Sequence, residues 1–453
     1  MKNNLFSYTS LVILHLAIAL AVFAIPFLSK IYALLISVLG ALYVFGTRNK
    51  NNEVLLVAGY LVGVEVFLRM TGGNFNNEYI KVSVIFFMLM GMAYSAFSVS
   101  SFIYGFFLIL LIPGILMTAA LADVSTDIKK AVIFNISGPV CLGISAIYTY
   151  KRKISFSTLQ NIVQLIGLPI ITTTAYLFLY NPSVQDVVTG TQSNFETSGG
   201  FGPNQVSTIL GLGMFVFFAQ LILFSKSKKM QLLNGTLVLL ISYRAIVTFS
   251  RGGVITGAVM ILGLLILLYF YSDIKTKFKL TLVAVLTGFL ALSVWTYSSS
   301  QTSGLIDKRY ANEDAAGRVK KDKLGGREAI MNAEMDLFYN NPVTGVGAGL
   351  GKENRKNMIS EDAASHNEVT RMLSEHGLFG LFGLIILFIT PFFSYINNRQ
   401  HFYFLSFYFF WLLTINHAAM RTAAPAFVYA LTLLTVTNIK ANDSVNRENS
   451  TYR

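Results

Sequence analysis

The sequence predicts an all-α protein built from many membrane-spanning helices, and three observations support this fold class. The chain is 54% hydrophobic and 13% charged, whereas soluble proteins carry about 25% charged residues. Apolar runs of about 18 residues or more recur along it, long enough to cross a ~30 Å hydrocarbon core. The single cysteine, Cys141, lies inside one of these runs. This excludes an internal disulfide framework and argues against a catalytic thiol.

The apolar runs divide the chain into about 14 candidate spans, or 12 if the tight pairs within 8–47 and 401–438 are merged. The first run follows a weakly basic start and has no clear cleavage site, so we expect a retained helix rather than a signal peptide. The candidates are 8–28, 31–47, 53–70, 80–97, 101–121, 131–150, 158–180, 204–224, 231–249, 253–271, 279–298, 376–396, 401–416 and 422–438.

The net charge of +13 indicates membrane topology rather than nucleic-acid binding. Its basic clusters lie in short loops between spans, and positive residues in short loops mark the cytoplasmic side. A cytoplasmic N-terminus places all of these clusters inside the cell, so we expect no nucleic-acid partner. The clusters are 48–50, 151–153, 226–229, 275–279 and Arg399.

A long polar segment separates two groups of spans. Residues 1–298 hold the first group, 376–438 hold the closing spans, and 439–453 form a cytoplasmic tail. By this topology the polar segment 299–375 lies outside the membrane on the opposite face, as does the Gly-rich loop 181–203. A loop as long as 299–375 is usually functional or disordered.

Parts of that segment carry a structural pattern. The apolar spacing of 327–339 predicts a short helix that ends at Pro342. The glycines of 345–349 predict a strip of turns, and the mixed charges of 308–323 predict a mobile stretch. The glycine strip does not match the phosphate-loop pattern GxxxxGK[ST]. That pattern would need glycine at 346 and serine or threonine at 353, and the chain has Val346 and Glu353.

His366, in Ser365-His366-Asn367-Glu368, is a candidate general base because an imidazole titrates near neutral pH. If the segment is helical from Ser365 onward, Gly377 and Gly380 lie on the same face as His366. Their missing side chains would let a ligand or another backbone approach. The alternative is an interfacial histidine that bridges helices.

Two arginines at the outer face could bind an anion. Arg251 stands in Ser250-Arg251-Gly252-Gly253, where the glycines could leave it open to grip a diphosphate. Arg327 opens the predicted loop helix, whose N-terminus attracts anions. The alternatives are an interfacial anchor for Arg251 and, for Arg327, a surface ion pair with a nearby glutamate.

Three further residues are secondary candidates. Arg244 lies about two turns deeper in the helix before Arg251, and buried arginines usually face a bundle interior or a cavity. His417 and Arg421 end the last two spans on the outer side, where an anchoring role is favoured. The acids of the outer segment have no ligand spacing, so we expect no metal site.

Taken together, these residues resemble the bacterial O-antigen ligase/polymerase superfamily of membrane glycosyltransferases. That family carries His, then Asn, Ser or Gln, nine residues, Gly, two residues and Gly, Thr or Tyr, and here His366, Asn367, Gly377 and Gly380 match throughout. Arg327 resembles the arginine of the family's loop motif Arg-xxx-Leu, and Met331 stands here in place of the leucine. Its Ser-Arg-Gly and Pro-x-x-Gly-x-Gly motifs are similar to 250–252 and 342–347. The resemblance is specific over about 200–380 and architectural before that.

The resemblance implies a GT-C-like fold in the bacterial inner membrane and transfer of a glycan from undecaprenyl diphosphate, with inversion, on the periplasmic face. It implies that His366 deprotonates the acceptor hydroxyl while Arg251 and Arg327 hold the diphosphate, with Asn367 as a secondary site residue. No metal, nucleotide or other cofactor is expected. Lipid A–core is the favoured acceptor, which makes the protein an O-antigen ligase.

Other functions remain open at this stage. A second lipid-linked glycan as acceptor would make the protein an O-antigen or exopolysaccharide polymerase, and a protein hydroxyl would make it a protein O-oligosaccharyltransferase. Charged residues within spans are also typical of a transporter or lipid flippase, whose pathway would hold Glu65, Arg69 and Arg244. A structural protein of a glycan export complex would use the outer loop for docking.

Overall fold

The computed structural model confirms an all-α polytopic membrane architecture. It describes residues 7–122, 127–320, 326–356, 358–359 and 364–437. The predicted tail 439–453 and residues 321–325 lie outside this part of the chain. The helices are α1 (Tyr8–Ala24), α2 (Leu28–Thr47), α3 (Glu53–Met70), α4 (Tyr79–Tyr94), α5 (Phe102–Leu110), α6 (Ile112–Leu121), α7 (Ile128–Thr149), α8 (Phe156–Tyr180), α9 (Pro203–Leu223), α10 (Lys228–Ile246), α11 (Arg251–Phe270), α12 (Ile274–Gln301), α13 (Leu305–Tyr310), α14 (Arg327–Asn340), α15 (Gly351–Lys356), α16 (Glu368–Ile396), α17 (Phe404–His417) and α18 (Ala423–Leu431).

Every candidate span coincides with at least part of a helix, and the span 101–121 is formed by α5 and α6 together. Within the described residues, eight helical segments are long and apolar enough to cross a membrane, and α1 and α4 are shorter apolar helices. The hydrophobic pattern therefore predicted the positions of the helices well. A segment that crosses the membrane must satisfy its own backbone hydrogen bonds, and it does so by forming a helix.

The last predicted span, 422–438, differs from the structure. It is helical only over α18, and the chain then extends into β2 (Thr435–Thr437), which pairs in parallel with β1 (Lys153–Ser155). The Asn398 amide group donates to the carbonyl of Leu434 (2.7 Å), and its oxygen accepts from the N–H of Val436 (3.2 Å). This extended backbone is tolerated because it is buried within the protein.

The centre and the edge of the bundle differ sharply in burial. The most apolar window of α9 is 83% buried, whereas that of α12 is 11% buried. A Cβ on Gly253 of α11 would overlap the carbonyl of Ser207 in α9, so glycine permits direct backbone contact between these helices. Gly253 was expected to keep the surroundings of Arg251 open, but in the structure it serves the packing of α11 against α9.

The loops that follow α8 and α12 fold together at one end of the bundle, which we call the loop end. The hydroxyl of Thr191 donates to the carbonyl of Glu313 (2.9 Å). After α13 the chain makes a short hairpin closed by the bridge between Glu313 and Val319. Backbone hydrogen bonds thus give residues 308–320, which the sequence predicts to be mobile, a defined turn and hairpin, while 321–323 lie outside the described residues.

Candidate active site

His366 lies in a bend just before α16 rather than on a helix. Asn367 is the N-cap of α16, and its side-chain oxygen accepts from the N–H groups of Val369 (2.8 Å) and Thr370 (3.3 Å). An N-cap has extended backbone angles, so the helical wheel that placed the two downstream glycines beneath His366 does not apply. The structure assigns Asn367 a capping role next to the candidate base.

The downstream glycines serve the packing of the loop end. Gly377 interrupts α16 with φ 60° and ψ −137°, a conformation open to glycine because it lacks a Cβ. A Cβ there would lie 2.5 Å from the Pro342 carbonyl, which accepts from the N–H of Leu378 (2.7 Å). Gly345 likewise lies against the backbone of Glu375. These glycines seat the strip 342–349 on α16 and do not clear space for a ligand.

The backbone around His366 is held from three sides. Arg421 donates to the carbonyls of Ala364 (3.1 Å) and Ser365 (2.8 Å). The N–H of Ala419 donates to the carbonyl of His366 (3.1 Å). The hydroxyl of Ser365 donates to the carboxylate of Glu334 (3.2 Å). These bonds fix the imidazole without using its own ring nitrogens.

Glu334 is a buried carboxylate at the centre of this support. It also accepts from the hydroxyl of Thr370 (2.6 Å) and forms an ion pair with Arg355. Thr370 lies in the first turn of α16, so one carboxylate of α14 ties together the residues on both sides of His366. Burial raises the pKa of Glu334, and hydrogen bonds from the two hydroxyls and the charge of Arg355 oppose that rise.

The His366 side chain faces a small cavity of about 140 Å³, lined also by Asn204, Gln205, Ala418 and Arg421. Its Nδ1 is buried, and no described residue hydrogen bonds to it. Burial and the positive charges of Arg421 and Arg327, with a smaller contribution from His417, lower the pKa of His366 to about 3. The imidazole is therefore neutral at physiological pH, the form that can accept a proton.

Arg251 and Arg327, separated in sequence, approach each other in the structure. Each is the first residue of its helix, α11 and α14. Burial and the positive charge of Arg251 lower the pKa of Arg327. Within the described residues the Arg327 guanidinium has no salt bridge, because Glu334 pairs with Arg355 instead. The surface ion pair considered for Arg327 does not form with Glu334.

Arg309 is a third arginine of this cluster, and no sequence pattern had singled it out. It lies in α13, where its Nε donates to the carbonyl of Phe249 (3.0 Å). Burial, followed by the charges of Arg251 and Arg327, lowers the pKa of Arg309 to about 10. Neighbouring guanidiniums on three helices repel each other unless an anion lies among them. We call Arg251, Arg309 and Arg327 the arginine cluster.

The secondary candidates divide between the site and the scaffold. Arg421 borders the His366 cavity, and burial together with the charges of Arg371 and Arg327 lowers its pKa to about 10. His417 lies beside the site, where Nδ1 contacts the Leu413 carbonyl (2.8 Å) and Nε2 contacts the Thr208 hydroxyl (3.1 Å). Gly252 packs against the His417 ring, so this glycine also serves packing.

Arg244 belongs to the scaffold. It is fully buried, donates to the carbonyls of Leu177 and Asn181 at the end of α8, and lies 4.5 Å from the centre of the Phe178 ring. Glu65 and Arg69, the other residues of a transport pathway, form a salt bridge of 2.7 Å. All three have structural partners, which removes the main feature that favoured a transporter.

Within the described residues, no group of three His, Cys, Asp or Glu side chains is placed to hold a metal ion. The positive charge of the loop end comes instead from guanidinium groups on α11, α13 and α14. Such groups can bind an anionic ligand through charge-assisted hydrogen bonds, often in pairs. The site thus combines a neutral imidazole with a cationic surface beside it.

Part of the chain matches known proteins. Residues 236–385 match the family described as O-antigen ligase, and this segment contains the arginine cluster and His366. The chain is also 28% identical to an uncharacterized protein of Haemophilus influenzae over 192 residues, covering 38% of this chain and 45% of that protein. The alignment thus spans less than half of the relative. The match over 236–385, about a third of the chain, supports the resemblance to the O-antigen ligase/polymerase superfamily of membrane proteins.

Proposed function

We propose that this protein is an inverting glycosyltransferase of the bacterial inner membrane. It moves a glycan from undecaprenyl diphosphate to a hydroxyl of lipid A–core on the periplasmic face, which makes it an O-antigen ligase with a GT-C-like fold. The single observation that carries the proposal is the neutral His366, which faces a cavity bordered by Arg421 and feels the charge of Arg327, the member of the arginine cluster that also interacts with Arg251 and Arg309.

His366 acts as the general base in this mechanism. The acceptor oxygen attacks the anomeric carbon of the donor, and its proton passes to a ring nitrogen of the neutral imidazole. The new glycosidic bond forms as the bond from the anomeric carbon to the diphosphate oxygen breaks. Attack from the face opposite the leaving group inverts the configuration of that carbon.

The arginine cluster stabilises the departing undecaprenyl diphosphate. Negative charge grows on the diphosphate as the sugar leaves, and guanidiniums already in place meet that charge without reorganisation. The same bound anion offsets the positive charges near His366, which favours the imidazolium that forms when the proton is taken. Three guanidiniums can serve this role without a divalent cation, so we expect transfer to persist in EDTA.

The test is transfer of a labelled glycan from its undecaprenyl diphosphate carrier to purified lipid A–core. We expect His366→Ala to lower the rate by at least about 100-fold, the lower end of the range for general-base catalysis, with an unchanged melting temperature. The control for loss of a basic side chain outside the site is Arg318→Ala, since Arg318 is exposed on the nearby hairpin and pairs with Asp314. Transfer by His366→Ala at a near-normal rate would contradict the assignment of His366 as the general base.

The acceptor is tested separately by deleting the gene and separating the cell's glycolipids on a gel. Loss of all long glycan from lipid A–core supports ligation. A single repeat unit that remains attached to lipid A–core indicates a polymerase instead. Unchanged lipid A–core with loss of glycan from proteins indicates a protein oligosaccharyltransferase.

A further inference from the structure

An apolar groove runs between α10, α11 and α12, outside the site described above. Its volume is about 840 Å³. The α12 residues that line it recur every three or four positions, as expected for one helix face. They include Leu280, Val283, Thr287, Leu290, Ala291 and Val294. The other face of α12 carries the exposed residues Leu282, Val285, Phe289 and Leu292. Both faces are therefore apolar, and α12 stands away from the bundle instead of closing against it.

The groove ends beside the arginine cluster. Val254 lines it one helical turn after Arg251, and Trp295 lines the same end. The ring of Trp295 packs edge-on against Tyr310 with centroids 4.7 Å apart, and Arg309 directly precedes Tyr310. A molecule whose anionic headgroup binds the arginine cluster would thus have the groove directly below it for an apolar chain.

The length of the groove favours one kind of chain. Thr276 and Trp295 both line it and lie about 28 Å apart along α12 at the helical rise. That distance is close to the full ~30 Å hydrocarbon core, about twice what an acyl chain within one leaflet needs. The far end carries polar residues, among them Gln231, Ser272 and Lys279. The groove suits a single apolar chain that crosses the whole membrane.

We propose that this groove holds the isoprenoid chain of the polyprenyl diphosphate donor and that it selects for long chains. The inference rests on the proposed function, since it is the donor's diphosphate that would occupy the arginine cluster. The donor enters sideways from the bilayer between α12 and the α10–α11 pair, whose loose packing leaves the groove open to lipid. Chain recognition is thereby separate from the chemistry at His366.

The first test fills the groove with a bulky side chain. Val283→Trp places an indole within it about 18 Å below Trp295, a depth that a geranyl chain is too short to reach, whereas the control Val285→Trp places the same indole on the exposed opposite face of α12. Each variant is assayed with undecaprenyl- and geranyl-diphosphate-linked glycans. We expect Val283→Trp to raise KM for the undecaprenyl donor about tenfold or more, equivalent to about 1.4 kcal/mol. KM for the geranyl donor should stay unchanged, and Val285→Trp should change neither. An equal effect on both donors, or no effect, would overturn the assignment of the groove to the isoprenoid chain.

The second test does not depend on transfer. A benzoylphenylalanine at Thr287, which lines the groove, is irradiated with labelled undecaprenyl diphosphate in vesicles of phosphatidylethanolamine. We expect a crosslink to the polyprenyl chain that unlabelled undecaprenyl diphosphate suppresses. A crosslink to phospholipid alone overturns the proposal. If wild-type protein transfers no glycan from either donor, the proposed function fails. The crosslink still shows whether the groove binds the polyprenyl chain.

Discussion

Replacing Arg309 with methionine removes one guanidinium of the arginine cluster while keeping a side chain of similar length. Arg309 donates to the carbonyl of Phe249 (3.0 Å) and weakly to the hydroxyl of Ser193 (3.4 Å). In the free protein its charge is opposed by Arg251 and Arg327. The residue therefore costs the resting protein some electrostatic energy, which an anionic substrate would offset.

These opposing contributions set the expected magnitudes. Losing hydrogen bonds from a charged donor costs roughly 1.5–3 kcal/mol each when they are well formed, and only the bond to Phe249 has good length. Relief of repulsion from Arg251 and Arg327 offsets part of that loss. We expect the free energy of unfolding to change by less than about 2 kcal/mol. Removing one preorganised donor to the developing anion should lower kcat by about 10² to 10³.

The assay combines steady-state transfer with thermal unfolding of the same detergent-purified samples. Arg309→Lys keeps the charge but loses the planar fork, so its rate should fall between wild type and Arg309→Met. Arg318→Ala is the control for loss of an exposed arginine from the same loop. A role for Arg309 in binding the diphosphate would be refuted if Arg309→Met transferred glycan within about threefold of the wild-type rate. That change corresponds to a loss of less than about 1 kcal/mol of transition-state stabilisation.

Three further predictions concern other parts of the molecule. Because the pKa of His366 is lowered to about 3 and the neutral imidazole is the active form, kcat/KM should stay flat from about pH 8 to 5. Bound diphosphate should make His366 easier to protonate, so the fall of kcat in acid should begin at a higher pH than the fall of kcat/KM. A fall of kcat/KM with an apparent pKa near 6.5 would contradict the buried, positively charged surroundings assigned to His366. Arg244→Met should lower the free energy of unfolding by about 3 kcal/mol through two lost charge-assisted hydrogen bonds, yet leave transfer per folded molecule unchanged; a selective loss of transfer would return Arg244 to the site. Gly253→Ala should prevent α9 and α11 from packing and destabilise by more than about 1 kcal/mol, whereas Gly288→Ala, where a Cβ meets open space, should be neutral or stabilising; equal melting temperatures would show that the close approach is unnecessary.

Much of the fold could be predicted because the membrane makes it a local property. A segment that crosses the hydrocarbon core must satisfy its own backbone, so its length and hydropathy predict a helix without knowledge of its neighbours. The exception is the segment after α18, where β2 is extended. Its hydrogen bonds come from Asn398 and from β1, which no local pattern connects to it.

The candidate site was predictable in its chemistry but not in its arrangement. His366, Arg251 and Arg327 stood out because ionisable groups at a membrane boundary need a reason to be there. Arg309 did not, since it lies in a polar, mixed-charge stretch where another arginine carries no signal. The meaning of Gly377 was also misjudged, because the helical wheel assumed an unbroken helix and the Pro342 carbonyl breaks it.

The sequence by itself determined a bundle of membrane helices, a polar segment between two groups of spans, and two arginines and a histidine predicted on the same face of the membrane. Tertiary structure alone decided that α11, α13 and α14 bring three guanidiniums together, and that Arg421 and Glu334 hold the backbone around His366. The physical reason is that burial and charge act through space. Both the protonation state of His366 and the repulsion within the arginine cluster depend on which distant segments fold beside them.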